Sequence, residues 1–101
     1  MIYVVVSVRV KAGRLRDFLG LFGSVAPLVR QEKGCVQYVA ATDFDSGLPP
    51  QVFGKDVVTI LEKWESIEAL RNHLAAPHMA AYFAKEKDLT EGASLKILTE
   101  A

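Results

Sequence analysis

The chain's only tryptophan and both of its histidines fall within one short stretch of sequence. Trp64 ends an apolar segment, Ser66 follows as a helix-capping residue, and His73 and His78 come after it. An imidazole exchanges protons near neutral pH, and an indole offers a flat apolar surface to an aromatic ring. The stretch therefore predicts a small pocket in which protons are moved on an aromatic ligand.

Each of these residues also has a simpler structural interpretation. His73 lies at the edge of an apolar helical stripe, where it is either a pocket acid, base or donor, or a partly exposed helix residue. His78 follows Pro77 in the first turn of a restarted helix, and a surface or capping role there is as consistent with the sequence as a role in a pocket. Trp64 taken alone is more often a core residue than a ligand platform. The sequence leaves these alternatives open.

Two further side chains belong to the same region. Glu62 precedes Trp64 by two residues and shares its strand face, which predicts a salt bridge at the surface or at a dimer contact rather than a catalytic group. Tyr82 continues the apolar side of the second helical segment. We expect it to lie in the core, with a hydroxyl that can point into a cavity.

No metal or nucleotide cofactor is predicted. The two histidines are separated by five positions with a proline between them, which is not the i,i+4 spacing of a helical zinc pair, and no cysteine cluster accompanies them. The chain also carries no glycine-rich phosphate loop, no serine nucleophile elbow and no dinucleotide fingerprint.

The composition of the chain indicates one domain and argues against nucleic acid and membranes as partners. The 101 residues predict one domain, 1–101, and 50% hydrophobic residues are enough for a core. Twelve basic and twelve acidic residues cancel, so nucleic acid and anionic membranes are not expected partners. No apolar run is long enough to span a bilayer, and the N-terminus resembles a strand more than a signal peptide. A single cysteine, Cys35, suits a reducing compartment, so we expect a cytoplasmic protein.

The periodicity of apolar residues predicts the elements that position these groups. Strands are expected at 2–10, 35–44, 57–64 and 93–98, and helices from Arg14 to about Lys33 and from Ser66 to about Lys87 with a restart at Pro77. The order βαββαβ predicts a ferredoxin-like α+β plait with both helices on one face of an antiparallel sheet. The opposite face is half apolar, which predicts a homodimer packed through it. The loop 45–54 is interpreted as a lid, a dimer-contact arm or a mobile solvent loop.

The pattern Glu62-x-Trp64, Leu70, His73 and Pro77-His78 resembles the antibiotic biosynthesis monooxygenase family, also described as quinol monooxygenase-like. The opening strand that ends at Val10-Lys11-Ala12-Gly13 and the element order fit it as well. The resemblance covers nearly the whole chain and implies a dimeric α+β barrel. It also implies oxidation of a small aromatic, quinol-like compound by O₂ without metal or flavin, because the deprotonated substrate itself supplies the electrons.

The resemblance implies roles for particular residues. His73 and His78 are the catalytic candidates, and Trp64, Tyr82 and Val6 are the substrate-binding candidates. Val6, His73 and Phe83 stand where the haem-degrading branch has Asn, Trp and its haem-ligating His, so haem degradation is not expected.

Two other functions stay open at the level of sequence. One is an isomerase or another proton-transfer enzyme that acts on a small metabolite with the same histidines. The other is a small-molecule binding protein without catalysis. Fold and family membership alone do not decide between these functions and an oxygenase.

Overall fold

The computed structural model describes residues 1–101. The bounds are β1 Ile2–Val10, α1 Leu15–Arg30, β2 Cys35–Thr42, β3 Val57–Trp64, α2 Ile67–Leu74, α3 Pro77–Glu86 and β4 Thr90–Thr99. The predicted ferredoxin-like plait is confirmed, and the predicted restart at Pro77 is the break between α2 and α3. No helix is both long enough and apolar enough to cross a membrane.

The four strands form one antiparallel sheet in the order β2-β3-β1-β4. In this register Val4 lies opposite Glu62 on one side and Ile97 on the other, and Glu62 in turn lies opposite Tyr38. These four residues therefore form one row across the sheet. The pleat turns the whole row toward the same face, which is the face that the helices cover.

The long first helix supplies most of the helical side of the core. Its apolar residues recur at helical spacing, and Phe18, Phe22 and Val29 are buried. The ring of Phe22 stacks on Tyr38, with 5.0 Å between the ring centroids. The helix continues through Pro27, where the sequence allows a kink, and ends at Arg30. This packing holds β2 firmly beneath α1.

Local signals place the second helical region. The Ser66 hydroxyl accepts a hydrogen bond from the Ala69 backbone N–H at 3.1 Å, so the predicted cap begins α2. Pro77 occupies the first turn of α3, where its missing N–H costs no helical hydrogen bond. The two short helices therefore begin where the sequence predicts.

Three strand bounds differ from the prediction. β2 ends at Thr42 rather than at Phe44. β4 begins at Thr90, three residues before the predicted start, and ends at Thr99, one residue after the predicted end. Gly92 explains the second difference, because it adopts a φ of +143° opposite Arg9 where the β1–β4 register shifts. A glycine accepts this backbone conformation, so the strand passes through an irregularity instead of ending there.

The helices do not cover the outer strand β4. Leu95 and Ile97 lie on the helix side of the sheet, opposite Val6 and Val4, yet they are 57% and 48% exposed. The loop 43–56 also carries exposed apolar side chains, among them Phe44 and Val52. It contributes no residue to the main cavity, so within one chain the lid interpretation finds no support.

Candidate active site

A cavity of about 200 Å³ lies between the sheet and the two short helices. Thirteen of its sixteen lining residues are hydrophobic. The strands contribute Val4, Val6, Val8, Tyr38, Ile60, Glu62, Ala93, Leu95 and Ile97, and the helices contribute Leu70, His73, Leu74, Met79, Tyr82, Phe83 and Glu86. An apolar chamber with a few polar groups is the usual form of a small-molecule site.

One carboxylate holds both histidines. The two oxygens of Glu32 lie 3.1 and 3.0 Å from Nδ1 of His73, and one of them lies 2.7 Å from Nε2 of His78. Glu32 precedes β2, while the histidines come from α2 and α3. The three side chains therefore link three separate elements around one carboxylate.

Gly34 brings Glu32 to this position. It adopts a φ of +86°, and a Cβ there would lie 2.6 Å from the Cβ of Ala69 on α2. Its carbonyl also accepts a hydrogen bond from the Glu65 N–H at 2.9 Å. A side chain at position 34 would push the turn away from α2, so the close approach of Glu32 to His73 depends on this glycine.

The hydrogen bonds of His73 assign its tautomer. A carboxylate only accepts, so Nδ1 carries the hydrogen and donates it to Glu32. In the neutral ring Nε2 then keeps its lone pair, and His73 is among the residues that line the cavity. The ring is buried and packs against Trp64 at 4.6 Å and edge-on against Tyr38 at 5.5 Å between centroids. His73 is therefore an oriented imidazole whose Nε2 makes no hydrogen bond with the chain.

A second carboxyl group, that of Glu62, reaches the cavity from β3. It is buried, and its Oε1 accepts a hydrogen bond from the Trp64 indole N–H at 2.9 Å. Burial raises the pKa of Glu62, while the indole hydrogen bond and His73 lower it in part. The salt bridge predicted for Glu62 is wrong: its row faces the helices, and its partner is an indole.

The third polar group of the cavity lies on α3. Tyr82 is buried, and its hydroxyl is the one buried side-chain polar atom without a hydrogen-bond partner. Glu86 lies one helical turn further on and is half-buried. Burial raises the pKa of both Tyr82 and Glu86, and the nearby Glu86 carboxylate adds to the rise for Tyr82. The Tyr82 hydroxyl in turn lowers the pKa of Glu86 in part, although the two groups do not form a hydrogen bond of good geometry. An orphaned hydroxyl at a cavity wall is a place where a ligand can supply the missing partner.

The structure brings three of the five predicted site residues to the cavity wall. His73, Tyr82 and Val6 line it. Trp64 is fully buried behind Glu62 and His73, and His78 contacts Glu32 with a quarter of its side chain exposed, so neither lines the cavity. Trp64 and His78 support residues that touch the cavity.

Glu32 and Glu86 were not predicted from the sequence. Glu32 lies 41 positions before His73, and no local spacing links them. Its only local signal is the nearby Gly34, which marks a tight turn. Glu86 follows Tyr82 by four positions and shares its helix face, so that spacing could have indicated it.

The chain has no group of three or more histidine, cysteine, aspartate or glutamate side chains arranged to hold a metal ion. Glu32, His73 and His78 are instead held together by their own hydrogen bonds.

The protein is thus a ferredoxin-like α+β plait with an apolar cavity between its sheet and its short helices. The family model for antibiotic biosynthesis monooxygenases matches residues 1–85, and the chain belongs to that family. A curated relative is the "Probable quinol monooxygenase YgiN" of Escherichia coli strain K12, 34% identical over 84 residues that cover 81% of each chain.

Solved structures with the same fold include a conserved protein of Methanosarcina mazei. It is 21% identical with a TM-score of 0.87, over 99% of this chain and 92% of that one. A Deinococcus radiodurans protein, proposed to be an antibiotic biosynthesis monooxygenase, is 20% identical with a TM-score of 0.85, over 100% of this chain and 93% of that one. At these identities the likeness establishes the fold.

Proposed function

We propose that this protein is a monooxygenase that oxidises a small aromatic, quinol-like compound with O₂, without metal or flavin. Membership of the family and the quinol monooxygenase named among its relatives favour this class. The observation that carries the proposal is the imidazole of His73, oriented by Glu32 at the wall of an apolar cavity. This arrangement provides a base at the wall of a mostly apolar cavity.

His73 acts first in this mechanism. Its Nε2 removes the proton of a phenolic hydroxyl, and Glu32 stabilises the imidazolium that forms. The resulting phenolate is electron-rich and passes an electron to O₂, and recombination at the para carbon gives a hydroperoxide. Loss of water then leaves a second carbonyl on the ring. The phenol gives up four electrons and O₂ accepts four, so one oxygen atom enters the quinone and the other leaves as water.

The cavity walls serve the same chemistry. Apolar side chains from the sheet and from the helices surround the ring of the substrate and keep bulk water from the radical pair. The buried Tyr82 hydroxyl donates a hydrogen bond to a substrate oxygen. Trp64 and His78 have supporting roles here, because the first holds Glu62 and the second holds Glu32.

The experiment uses the purified protein after metal chelation and ¹⁸O-labelled oxygen. A panel of naphthols with a free para position is tested beside matching hydroquinones. We expect one labelled atom in the quinone formed from the naphthols, above a control without protein. A hydroquinone would instead lose two electrons and release hydrogen peroxide, which catalase detects. Binding without oxygen uptake across the panel would favour the binding protein or the isomerase.

Two variants separate the base from its support. His73→Ala should lower turnover by about 10²–10⁴-fold, the range of general-base catalysis. His78→Ala removes a histidine from the same cluster but not from the cavity wall, and we expect a smaller loss. Equal rates for wild type and His73→Ala would show that the base is misassigned.

We also propose a homodimer through the sheet face that the helices leave open. Val5, Val39 and Leu61 meet on that face by register, beside Tyr3, whose ring lies 5.3 Å from the Lys63 ammonium. A stable interface of this kind buries roughly 2,000 Å² or more in total. Sedimentation should give a dimer for wild type and a monomer for Leu61→Glu. A folded wild-type monomer at micromolar concentration would contradict the proposal.

A further inference from the structure

The cavity contains acidic groups and no cationic side chain. Among its sixteen lining residues the only titratable groups other than the two tyrosines are Glu62, Glu86 and His73, and none is a lysine or an arginine. Protein sites for phosphate, sulfate or carboxylate groups normally provide an arginine, a lysine or a set of backbone N–H groups. The lining of this cavity is therefore unsuited to an anion.

Only one of the two carboxyl oxygens of Glu62 forms a hydrogen bond with the chain. Oε1 accepts the indole hydrogen bond of Trp64, whereas Oε2 makes no hydrogen bond with the chain. The residue is buried, and it lies in the middle of the row formed by Tyr38, Val4 and Ile97 on the floor of the cavity. The free oxygen is thus held in a fixed place by the indole.

Tyr82 and Glu86 on α3 form a second polar group of the cavity, apart from Glu62 on β3. They lie one turn apart on α3, and the Tyr82 hydroxyl is buried without a partner. A buried hydroxyl that lacks a partner is costly unless a ligand or a water satisfies it. The cavity therefore has two separate places, on β3 and on α3, that can each take one ligand oxygen.

Burial in the apolar cavity raises the pKa of Glu62 and of Glu86, so both carboxyl groups hold a proton more tightly than an exposed glutamate does. A neutral carboxyl group carries an O–H and donates a hydrogen bond, which an ionised one does not do. A carbonyl or phenol oxygen can accept such a bond, and a phenolate accepts it more strongly.

We infer that Glu62 and Glu86 are the specificity-determining residues of this cavity: their carboxyl groups contact the oxygens of an uncharged aromatic substrate and, with no lysine or arginine beside them, disfavour substrates that carry an anionic group. The inference rests on the proposed function and deepens it, because it names the class of substrate. It also assigns substrate contact to Glu62, which was predicted to form a salt bridge, and to Glu86, which was not predicted from the sequence.

The inference agrees with the catalytic steps proposed above. The phenolate forms only after the substrate is bound, and its charge is balanced by the imidazolium of His73. An acid group on the substrate would arrive with a charge that nothing in the cavity balances. Rejection of anions and stabilisation of a transient phenolate are therefore compatible.

Several titratable groups surround Glu62 and bear on any pH effect. They are Tyr38 and Cys35 from β2, Glu32 from the turn before β2, His73 from α2, and Tyr82 and Glu86 from α3. Its neighbour on β1, Val4, is uncharged. The test must therefore separate Glu62 from these groups by substitution and not by pH alone.

The experiment measures equilibrium binding through the fluorescence of Trp64, the only tryptophan, without any turnover. The probes are 1,4-naphthoquinone and its 2-carboxamide and 2-carboxylate derivatives, of which the last two are nearly equal in size and differ in charge. We expect the carboxylate to bind at least about tenfold more weakly than the carboxamide. We also expect the affinity for 1,4-naphthoquinone to fall as the pH rises through the raised pKa of Glu62, since the donor is then lost.

Glu62→Gln is the decisive variant, because an amide still donates but does not titrate. It should keep quinone binding and flatten the pH dependence. It should also reduce the discrimination against the carboxylate, because the amide carries no negative charge at any pH. Glu86→Gln should also reduce that discrimination. Glu65→Gln makes the same chemical change at an exposed position next to Trp64 and should change neither property.

Each outcome decides the inference. Equal affinity for carboxamide and carboxylate in wild type, or unchanged discrimination in both Glu62→Gln and Glu86→Gln, overturns it. If naphthols are still oxygenated in that case, the proposed function stands and only the inference fails. If no probe binds and no oxygen is taken up, both fail. Carbonyl vibrational shifts of bound quinone that persist in Glu62→Gln but are lost in Glu62→Ala would independently support the contact.

Discussion

The two halves of the helix-side face differ in how completely their polar groups are paired. In the half formed by β3, α2 and the first turn of α3, Glu32 binds both histidines and Trp64 binds Glu62. In the half formed by the rest of α3 and β4, the Tyr82 hydroxyl is unpaired and the apolar side chain of Leu95 is exposed. The polar groups of the first half are therefore paired within the chain. The second half leaves a hydroxyl and an apolar surface that a ligand or a second chain can cover.

This difference suggests which half of the site serves proton transfer and which serves substrate binding. A catalytic base must be held in one tautomer and one orientation, and that requires hydrogen bonds within the protein. A binding wall gains affinity when a ligand covers its exposed apolar surface and satisfies its free donors. The paired half therefore suits proton transfer, and the open half suits substrate capture.

The largest effect should come from the indole beneath the paired half. Trp64→Ala removes a fully buried side chain, and we expect a loss of about 3–5 kcal/mol in the free energy of unfolding. Trp64→Phe keeps most of the volume but leaves Oε1 of Glu62 without its donor, which should cost about 1–3 kcal/mol. Urea titrations followed by circular dichroism measure both. A loss below about 0.5 kcal/mol for Trp64→Ala would show that this half is not organised around the indole.

The next effect concerns the carboxylate that holds the histidines. Glu32→Gln weakens a charge-assisted hydrogen bond, and we expect turnover to fall by about 10–100-fold, equivalent to about 1.5–3 kcal/mol, with little change in KM. Glu32→Asp should recover part of the rate. Nitrogen NMR of the His73 ring should show the hydrogen on Nδ1 in wild type and a mixture in the glutamine variant.

The control for this prediction is Glu68→Gln, an exposed change in the first turn of α2. It removes the same charge without touching either histidine, so rate and tautomer should stay as in wild type. If Glu32→Gln matches this control in both readouts, the paired half does not position His73.

The fold was largely predictable because its signals are local. Apolar alternation marks β1 and β3, Ser66 caps α2, and Pro77 begins α3. β4 was predicted too short because the irregularity at Gly92 has the composition of a turn. Short-range periodicity thus carries most of the information about the plait.

The site was only partly predictable because it depends on contacts between distant residues. His73, Tyr82 and Val6 reach the cavity because they share a face with the core. Glu32 meets His73 only through the close approach at Gly34, and no spacing encodes that contact. The sequence also could not distinguish Glu62 at a surface from Glu62 beneath α2, since alternation gives the face of a strand but not what covers it.

A smaller effect follows from the buried state of Glu62. Its pKa is raised in the folded protein, so the folded state holds its proton more tightly than the unfolded chain does. The stability linked to this proton is fully present below the unfolded pKa and is lost as the pH rises through the folded pKa. Glu62→Gln does not titrate, so its melting temperature relative to wild type should rise as the pH rises from the unfolded pKa of a glutamate, about 4.3, through the raised folded pKa of Glu62.

Differential scanning calorimetry of Glu62→Gln and wild type at matched pH values gives this difference. Glu65→Gln, which changes an exposed carboxyl group, should show no comparable trend. A difference that stays constant with pH would mean that Glu62 is solvated like a surface residue, and the contrast between the two halves would then be weaker.

The smallest effect on stability is expected for Leu95→Ser on β4. This variant tests whether a ligand or a second chain covers the exposed apolar surface of the half formed by α3 and β4. Leu95 lies on the cavity side of β4 and is 57% exposed, so Leu95→Ser should change the free energy of unfolding by no more than about 0.5 kcal/mol. It should still weaken binding of 1,4-naphthoquinone by about fivefold, because a ligand that covers half a leucine gains about 1 kcal/mol. Leu98→Ser, on the opposite face of the same strand, should leave that affinity unchanged and weaken the proposed dimer instead. If Leu95→Ser alters sedimentation but not ligand affinity, a second chain and not a substrate completes the open half.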